Sequence, residues 1–318
     1  MATGYYYANR TENMDLRYDE KSSSWKPYSG YTQPVRKVYI SNTTFTNCKN
    51  ITSVNLHNHH WTNGSMHSAF QDCSNLTSCS GIGNNVTTLR QAFRNCYLLT
   101  TPPSIPNTVT NMSYSFGNCY ALQSYPIIPD GVKDLTSAFQ WVNKLTTPPT
   151  IPNSVTSLCA TFAQNFNLST LPRIPDSVVN CARTFYACNN VGTINYTIPI
   201  NVTNVESMFH TSTAQGNVFI LSTKITNAVN FANLSGKSKR MNVYIPFTYS
   251  NSVATQTYNA FTSAGYNTAG SGKDIYLMDI GTFSVDLTGW TYTQPDEITA
   301  VISKYTGSST TITVPKGV

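Results

Sequence analysis

The sequence predicts an α/β repeat solenoid, with a short helix and a short strand in each 23-residue coil, a non-repeating amino-terminal arm and a small β-rich carboxy-terminal module. Three observations carry that reading. Phe70, Phe93, Phe116, Phe139, Phe162 and Phe185 stand 23 residues apart, and a fixed period of about 20–50 residues is the mark of a solenoid or array. The same register recurs in other columns, aliphatic at Leu76, Leu99, Leu122, Leu145, Leu168 and Val191, and valine at Val86, Val109, Val132, Val155 and Val178. It decays at both ends, through Phe45 before and Phe209 and Phe231 after, as capping repeats do.

Residues 1–40 do not repeat. They concentrate aromatics, Tyr5, Tyr6, Tyr7 and Trp25 among them, and are expected to cap the first coil or attach the chain to a neighbour. The solenoid spans 41–240. Within each coil, Val-x-x-Leu-x-x-x-Phe-x-x-Cys places apolar residues at steps of 3, 4 and 3, which suits one face of a short α or 3₁₀ element. A brief extended segment follows through Leu-Thr-x-x-Pro.

Prolines occupy the next positions in two columns, Pro103, Pro126, Pro149 and Pro172, then Pro106, Pro129, Pro152 and Pro175. Proline has no backbone donor, so a central strand is disfavoured there. An extended, polyproline-like path with only partial coil-to-coil pairing is expected. Asn107, Asp130, Asn153 and Asp176 come next and predict the corner, since Asx side chains bond their own nearby backbone. Residues 241–318 predict a strand at Val243–Phe247, a short helix ending at Gly265, a strand from Asp274 and a terminal strand at Thr310–Val314.

Eight cysteines are present. Five of them, Cys48, Cys73, Cys96, Cys119 and Cys188, follow the anchors by three residues, where Val142 and Asn165 also stand. A column that exchanges Cys with Val and Asn reads as small buried thiols rather than a disulfide framework. Histidine is concentrated at His57, His59, His60 and His67. These are the metal candidates, because imidazole suits zinc and nickel, but no carboxylate base or Cys pair accompanies them, and an exposed loop or interface is the plainer reading.

Asp130 and Asp176 share a column with Asn107 and Asn153. Asn replaces Asp in a turn but not in acid–base catalysis, so a turn role is expected. Asp134 is expected to cap the element that follows. No phosphate loop, dinucleotide fingerprint or nucleophile elbow occurs, and no cofactor is expected. The formal charge is +6 and only 11% of residues are charged, against about 25% in ordinary domains. The tightest basic group, Lys237, Lys239 and Arg240, reads as a solvated loop and not a nucleic-acid patch. No apolar stretch approaches the roughly 18 residues of a membrane span, and the first residues lack the features of a secretory signal.

Val86-Thr-Thr-Leu-Arg-Gln-Ala-Phe-Arg-Asn-Cys96 and Val109-Thr-Asn-Met-Ser-Tyr-Ser-Phe-Gly-Asn-Cys119 resemble the BspA-like branch of leucine-rich repeats. Tyr305–Pro315 is similar to the segment that opens such a repeat. The resemblance implies a non-enzymatic binding or structural scaffold of a kind found on bacterial surfaces and in phages of gut bacteria. With the polar, low-charge composition and the absent signal, it leads to an expected place on the exterior of a bacteriophage virion, in contact with other virion proteins, a host glycan or a host surface protein, and with copies of itself. A bacterial cell-surface adhesin is the alternative, and a polysaccharide-cleaving enzyme a distant third. The paired prolines depart from the family pattern where a longer strand is usual.

Overall fold

A computed structural model describes residues 45–56, 60–232, 241–247, 254–266 and 274–279, together with the backbone of short strands at 16–19, 24–27 and 39–40. Tyr5, Tyr6, Tyr7, His57, His59 and the expected strand at Thr310–Val314 lie outside the described residues.

The expected solenoid is present, but the expected helix in each coil is not. Between the valine and cysteine columns the chain makes overlapping turns. Ser68 and Asp72, Gln91 and Asn95, Tyr114 and Asn118, Ser137 and Trp141, and Ala160 and Gln164 all have φ between 51° and 64°, a left-handed conformation that interrupts any helix. The backbone bonds give the physical reason. In the Phe70 coil, Met66, Ser68, Phe70 and Asp72 donate to the carbonyls of Thr88, Arg90, Ala92 and Arg94 at 2.8–3.0 Å, one coil on. The intervening Ala69, Gln71 and Cys73 donate three residues back, to Met66, Ser68 and Phe70, at 3.1–3.2 Å. A helix would spend every donor inside its own coil. Here alternate donors tie each coil to the next, and all are satisfied.

A polar column starts each run of turns. The side-chain oxygens of Asn111, Asp134, Asn180 and Asn204 accept from the backbone N–H two residues on, at 2.9–3.0 Å. Asp134 therefore caps as expected, although it caps a turn and not a helix. Isolated parallel bridges run from Ser65 through Thr88, Asn111, Asp134, Ser157, Asn180 and Asn204 to Asn227.

On the opposite side of the coil, the proline columns decide where strands form. Before the prolines begin, β4 (Ser53–Asn55) pairs in parallel with β6 (Ser78–Ser80). No strand forms between β6 and β7 (Thr193–Ile198), so the short strand expected in each coil is absent from the stretch that holds the proline pairs, where two missing N–H groups per coil leave no ladder to build. Where Asn195 and Ile198 take the proline positions, β7 forms and pairs with β8 (Gln215–Ile220). β9 (Met241–Phe247) and β10 (Ile275–Asp279) extend the same parallel sheet in the order β10-β9-β8-β7. The expected boundary at residue 241 is thus no break in the sheet. Toward the amino terminus, β1 (Leu16–Asp19) and β2 (Ser24–Pro27) form an antiparallel pair that sets Trp25 opposite Tyr18, and β3 (Tyr39–Ile40) pairs with β5 (His60–Trp61).

The core is a single stack. Rings from Phe45 through Phe70, Phe93, Phe116, Phe139, Phe162 and Phe185 to Phe209 lie 5.0–6.0 Å apart and nearly parallel. Each such pair adds about 0.5–1.5 kcal/mol to the gain from burial. Leu99, Leu122 and Leu168 are fully buried, whereas Leu145 is only partly so. The stack ends where Phe231 turns perpendicular to Phe209. There α1 (Ala254–Ser263) sets Phe261 against Phe231 at 5.1 Å. Gly265, at φ +85°, closes α1 as expected: its N–H reaches Thr262, and that of Tyr266 reaches Phe261, the pattern of a Schellman cap. The terminal coil is covered in this way by a helix, which meets the need of a solenoid end for a cap.

Candidate interaction surfaces

The residues that carry chemistry in the sequence are mostly absorbed by the repeat. Cys73, Cys96, Cys119 and Cys188 donate their thiols at 3.0–3.2 Å to the carbonyls of Phe45, Phe70, Phe93 and Phe162, one coil back. Burial pushes the Cys73 and Cys188 thiols up to about 12 and raises the others as well. None of the eight is in a disulfide. A thiol held protonated is neither nucleophile nor metal ligand. Where Asn165 replaces cysteine, its amide oxygen accepts from Val142 N at 2.7 Å and its nitrogen donates to Tyr125 Oη at 3.2 Å.

Of the histidine candidates, His67 Nε2 lies 3.0 Å from Gln91 Oε1, and His60 belongs to β5. Among the described residues no group of three metal-ligating side chains comes together.

Asp130 and Asp176 are exposed at their corners. Asp130 borders an open groove of about 800 Å³ on the proline side, lined by Tyr125, Ile127, Lys144, Pro149 and Pro152. Among the described residues it is the only carboxylate there, and an adjoining groove, which also contains Arg173, again offers Asp130 alone. Paired carboxylates for acid–base work are not brought together in either.

Aromatic rings also reach the surface. Tyr97 and Tyr120, each 41% exposed, stack at 5.4 Å and 8°. Trp141 follows at 6.4 Å from Tyr120, turned by 82°, and Phe166 lies 5.2 Å beyond it at 83°. Tyr186 belongs to a different column and stacks on His210 at 5.6 Å. On the outward face of the terminal sheet, Phe219, Tyr244 and Tyr276 stack at 4.9 and 5.0 Å. Beside them Asn242 donates to Asn217, and Asn217 to Asn195, at 3.0 and 2.9 Å. Trp141, Phe166 and the terminal trio were not singled out by the sequence reading. Trp141 carries a signal of its own: it interrupts a column that reads Asn47, Asp72, Asn95 and Asn118.

The family model described as BspA type leucine rich repeat region matches in six copies, over residues 31–146 and 112–238. Among solved structures, a leucine-rich repeat protein from Bacteroides ovatus is 18% identical, with a TM-score of 0.52 over 66% of this chain and 53% of that one. This chain therefore spans about half the length of that protein. The T. pallidum leucine rich repeat protein is 22% identical over 47% of this chain and 68% of its own, at a TM-score of 0.38. A leucine rich cell surface protein from Faecalibacterium prausnitzii is 16% identical over 61% and 81%, at 0.22. At such identities only the Bacteroides likeness bears on the fold, and it bears on nothing else. No curated protein matches by sequence.

Proposed function

The chain belongs to the BspA-type leucine-rich repeat family, and we propose that it works as a non-enzymatic adhesive or structural scaffold on the exterior of a bacteriophage virion. The observation that carries the non-enzymatic reading is the fate of the reactive side chains. Thiols, Asx residues and His67 are spent on bonds between or within coils, and the grooves hold a single carboxylate. Besides scattered charges such as Asp130, Lys133 and Asp176, the coils leave to solvent uncharged hydrogen-bonding groups and aromatic rings, the materials of contact more than of turnover. No helix among the described residues is long and apolar enough to cross a membrane.

Attachment is assigned to residues 1–40, and contact with host glycan or surface protein to the repeat. Removing residues 1–40 should eliminate the protein from purified virions. Virions that keep it at full copy number would count against this reading. Recovery of the intact protein only from bacterial envelopes would favour the cell-surface adhesin instead. Release of reducing ends from host polysaccharide by the purified chain, lost in Asp130→Asn or Asp176→Asn, would overturn the non-enzymatic reading.

A further inference from the structure

We propose that Trp141, flanked by Tyr120 and Phe166, is the platform of a saccharide-binding site on the turn side of the solenoid; this deepens the scaffold reading above and rests on it.

The first ground is the exception in the column. Trp141 has φ 62°, as do its neighbours in the column, Gln164 at 63° and Ala187 at 55°, so the backbone is the repeat's own. What is particular to this coil is the side chain: a half-buried indole stands where the preceding coils carry the short polar groups of Asn47, Asp72, Asn95 and Asn118.

The second ground is the presentation of the ring. Tyr97 and Tyr120 stack along the direction in which coils repeat, so each covers the other's face. Trp141, one coil further, is turned by 82° from Tyr120 and 83° from Phe166. Neither neighbour therefore lies parallel over the half-buried indole as Tyr97 lies over Tyr120. The trio at Phe219, Tyr244 and Tyr276 is the contrast. Those rings lie within 22° of parallel, so they join strands and offer solvent mainly their edges.

The third ground is the polar surround. Asn95 Nδ2 donates to Asp72 Oδ1 and Asn118 Nδ2 to Asn95 Oδ1, both at 2.6 Å. The row stops at Trp141, which supplies no amide, so Asn118 Oδ1 is left as an acceptor beside the indole. Gln140 and Gln164 are joined at 2.9 Å across the next step. In the five residues after each anchor from Phe93 to Phe162, the charged ones are Arg94 and Lys144, and there is no carboxylate. An aromatic face takes the C–H side of a pyranose, and amides exchange hydrogen bonds with its hydroxyls. The absence of carboxylates admits acidic sugars as well as neutral ones.

Protein is the competing occupant. A standard protein interface covers about 800 Å² on each partner with an apolar centre. A narrow row drawn from two nearby columns, bordered by amides, matches a chain of sugar rings better.

The test uses the full chain on an array of neutral and acidic oligosaccharides, followed by calorimetric titration with the best of them. Trp141→Asn restores the residue type of its column. It should weaken binding at least tenfold while the unfolding midpoint stays level or rises. Tyr244→Ala, on the terminal trio, should leave affinity within twofold. Three outcomes would overturn the proposal: no saccharide bound by wild-type protein, full affinity retained by Trp141→Asn, or binding of acidic sugars alone that is lost in Lys144→Gln and untouched in Trp141→Asn. Incorporation into virions, measured on the same Trp141→Asn variant, reports on the scaffold reading separately, because attachment through residues 1–40 does not use the indole.

Discussion

Cys96 donates its thiol to the carbonyl oxygen of Phe70, 3.1 Å away and one coil back. That oxygen also accepts the backbone N–H of Cys73 at 3.1 Å. The carbonyls of Phe45, Phe70, Phe93 and Phe162 are thereby used twice, once by their own coil and once by a thiol of the next. The cysteine column and the phenylalanine column are two halves of one coil-to-coil contact.

The thiols set a limit on alkaline stability. Burial raises Cys73 and Cys188 from the ordinary 9.0 to about 12 in the folded chain. A raised folded value means the contribution is complete below pH 9, where the unfolded thiol is still protonated. It is lost as pH rises from 9 toward 12. Urea denaturation between pH 8 and 11 should show stability falling through this window. Replacing Cys73, Cys96, Cys119 and Cys188 together by serine keeps a donor and removes the titration, so the decline should become shallower. It will not vanish, because burial also raises Tyr125 and Tyr196. Equal slopes in the two proteins would contradict the assignment.

The phenylalanine stack should dominate the energetics of the central coils. Phe116 is fully buried between Phe93 and Phe139, so Phe116→Ala should cost about 3–5 kcal/mol. Leu98, 48% exposed, should give about 0.5 kcal/mol or less on truncation to alanine. Chemical denaturation of the two variants checks the contrast. Coils contact only their neighbours, so a split unfolding transition in Phe116→Ala is an expected form of the damage.

Gly216 tests the register of the terminal sheet. It has φ +112°, and an added Cβ would stand 2.3 Å from the carbonyl oxygen of Ile194 on the paired strand. Neither strand can yield without losing the β7–β8 ladder. Gly216→Ala should cost at least about 1–3 kcal/mol. Gly192→Ala, with nothing within 4 Å, should be nearly neutral. Thermal unfolding of both variants measures the difference, and equal midpoints would mean that the strands are not paired in this register.

How far the sequence could be read follows from which forces act locally. The phenylalanine, valine and leucine columns were legible because burial selects residue type position by position. Weak pairing at the prolines was legible for a similar reason, since a missing N–H at Pro126 or Pro149 is a property of the residue itself. The complete loss of the expected short strand from the central coils was not legible. The helix expectation failed because steps of 3, 4 and 3 also describe a run of turns. Asp72, Asn95 and Asn118 hinted at left-handed positions, but Gln91, Tyr114 and Ser137, which share that conformation, carry no such preference. The bonds that hold them left-handed exist only when the next coil is present. Trp141 was legible only as an exception to its column, and the orientation of its ring was not legible at all, since it depends on Tyr120 and Phe166 from neighbouring coils.

The central structural claim is that the middle coils are held together on the turn side, not by a sheet. Amide hydrogen exchange at residue resolution on the full chain tests it most directly. Residues 112–119 and 135–142 should be strongly protected, because their N–H groups are spent on the next coil or on their own turn. Residues 124–130 and 147–153, whose N–H groups make no backbone bond, should exchange orders of magnitude faster. Slow exchange at 124–130 and 147–153 together with fast exchange at 112–119 and 135–142 would mean that a sheet holds the stack, and would contradict the account.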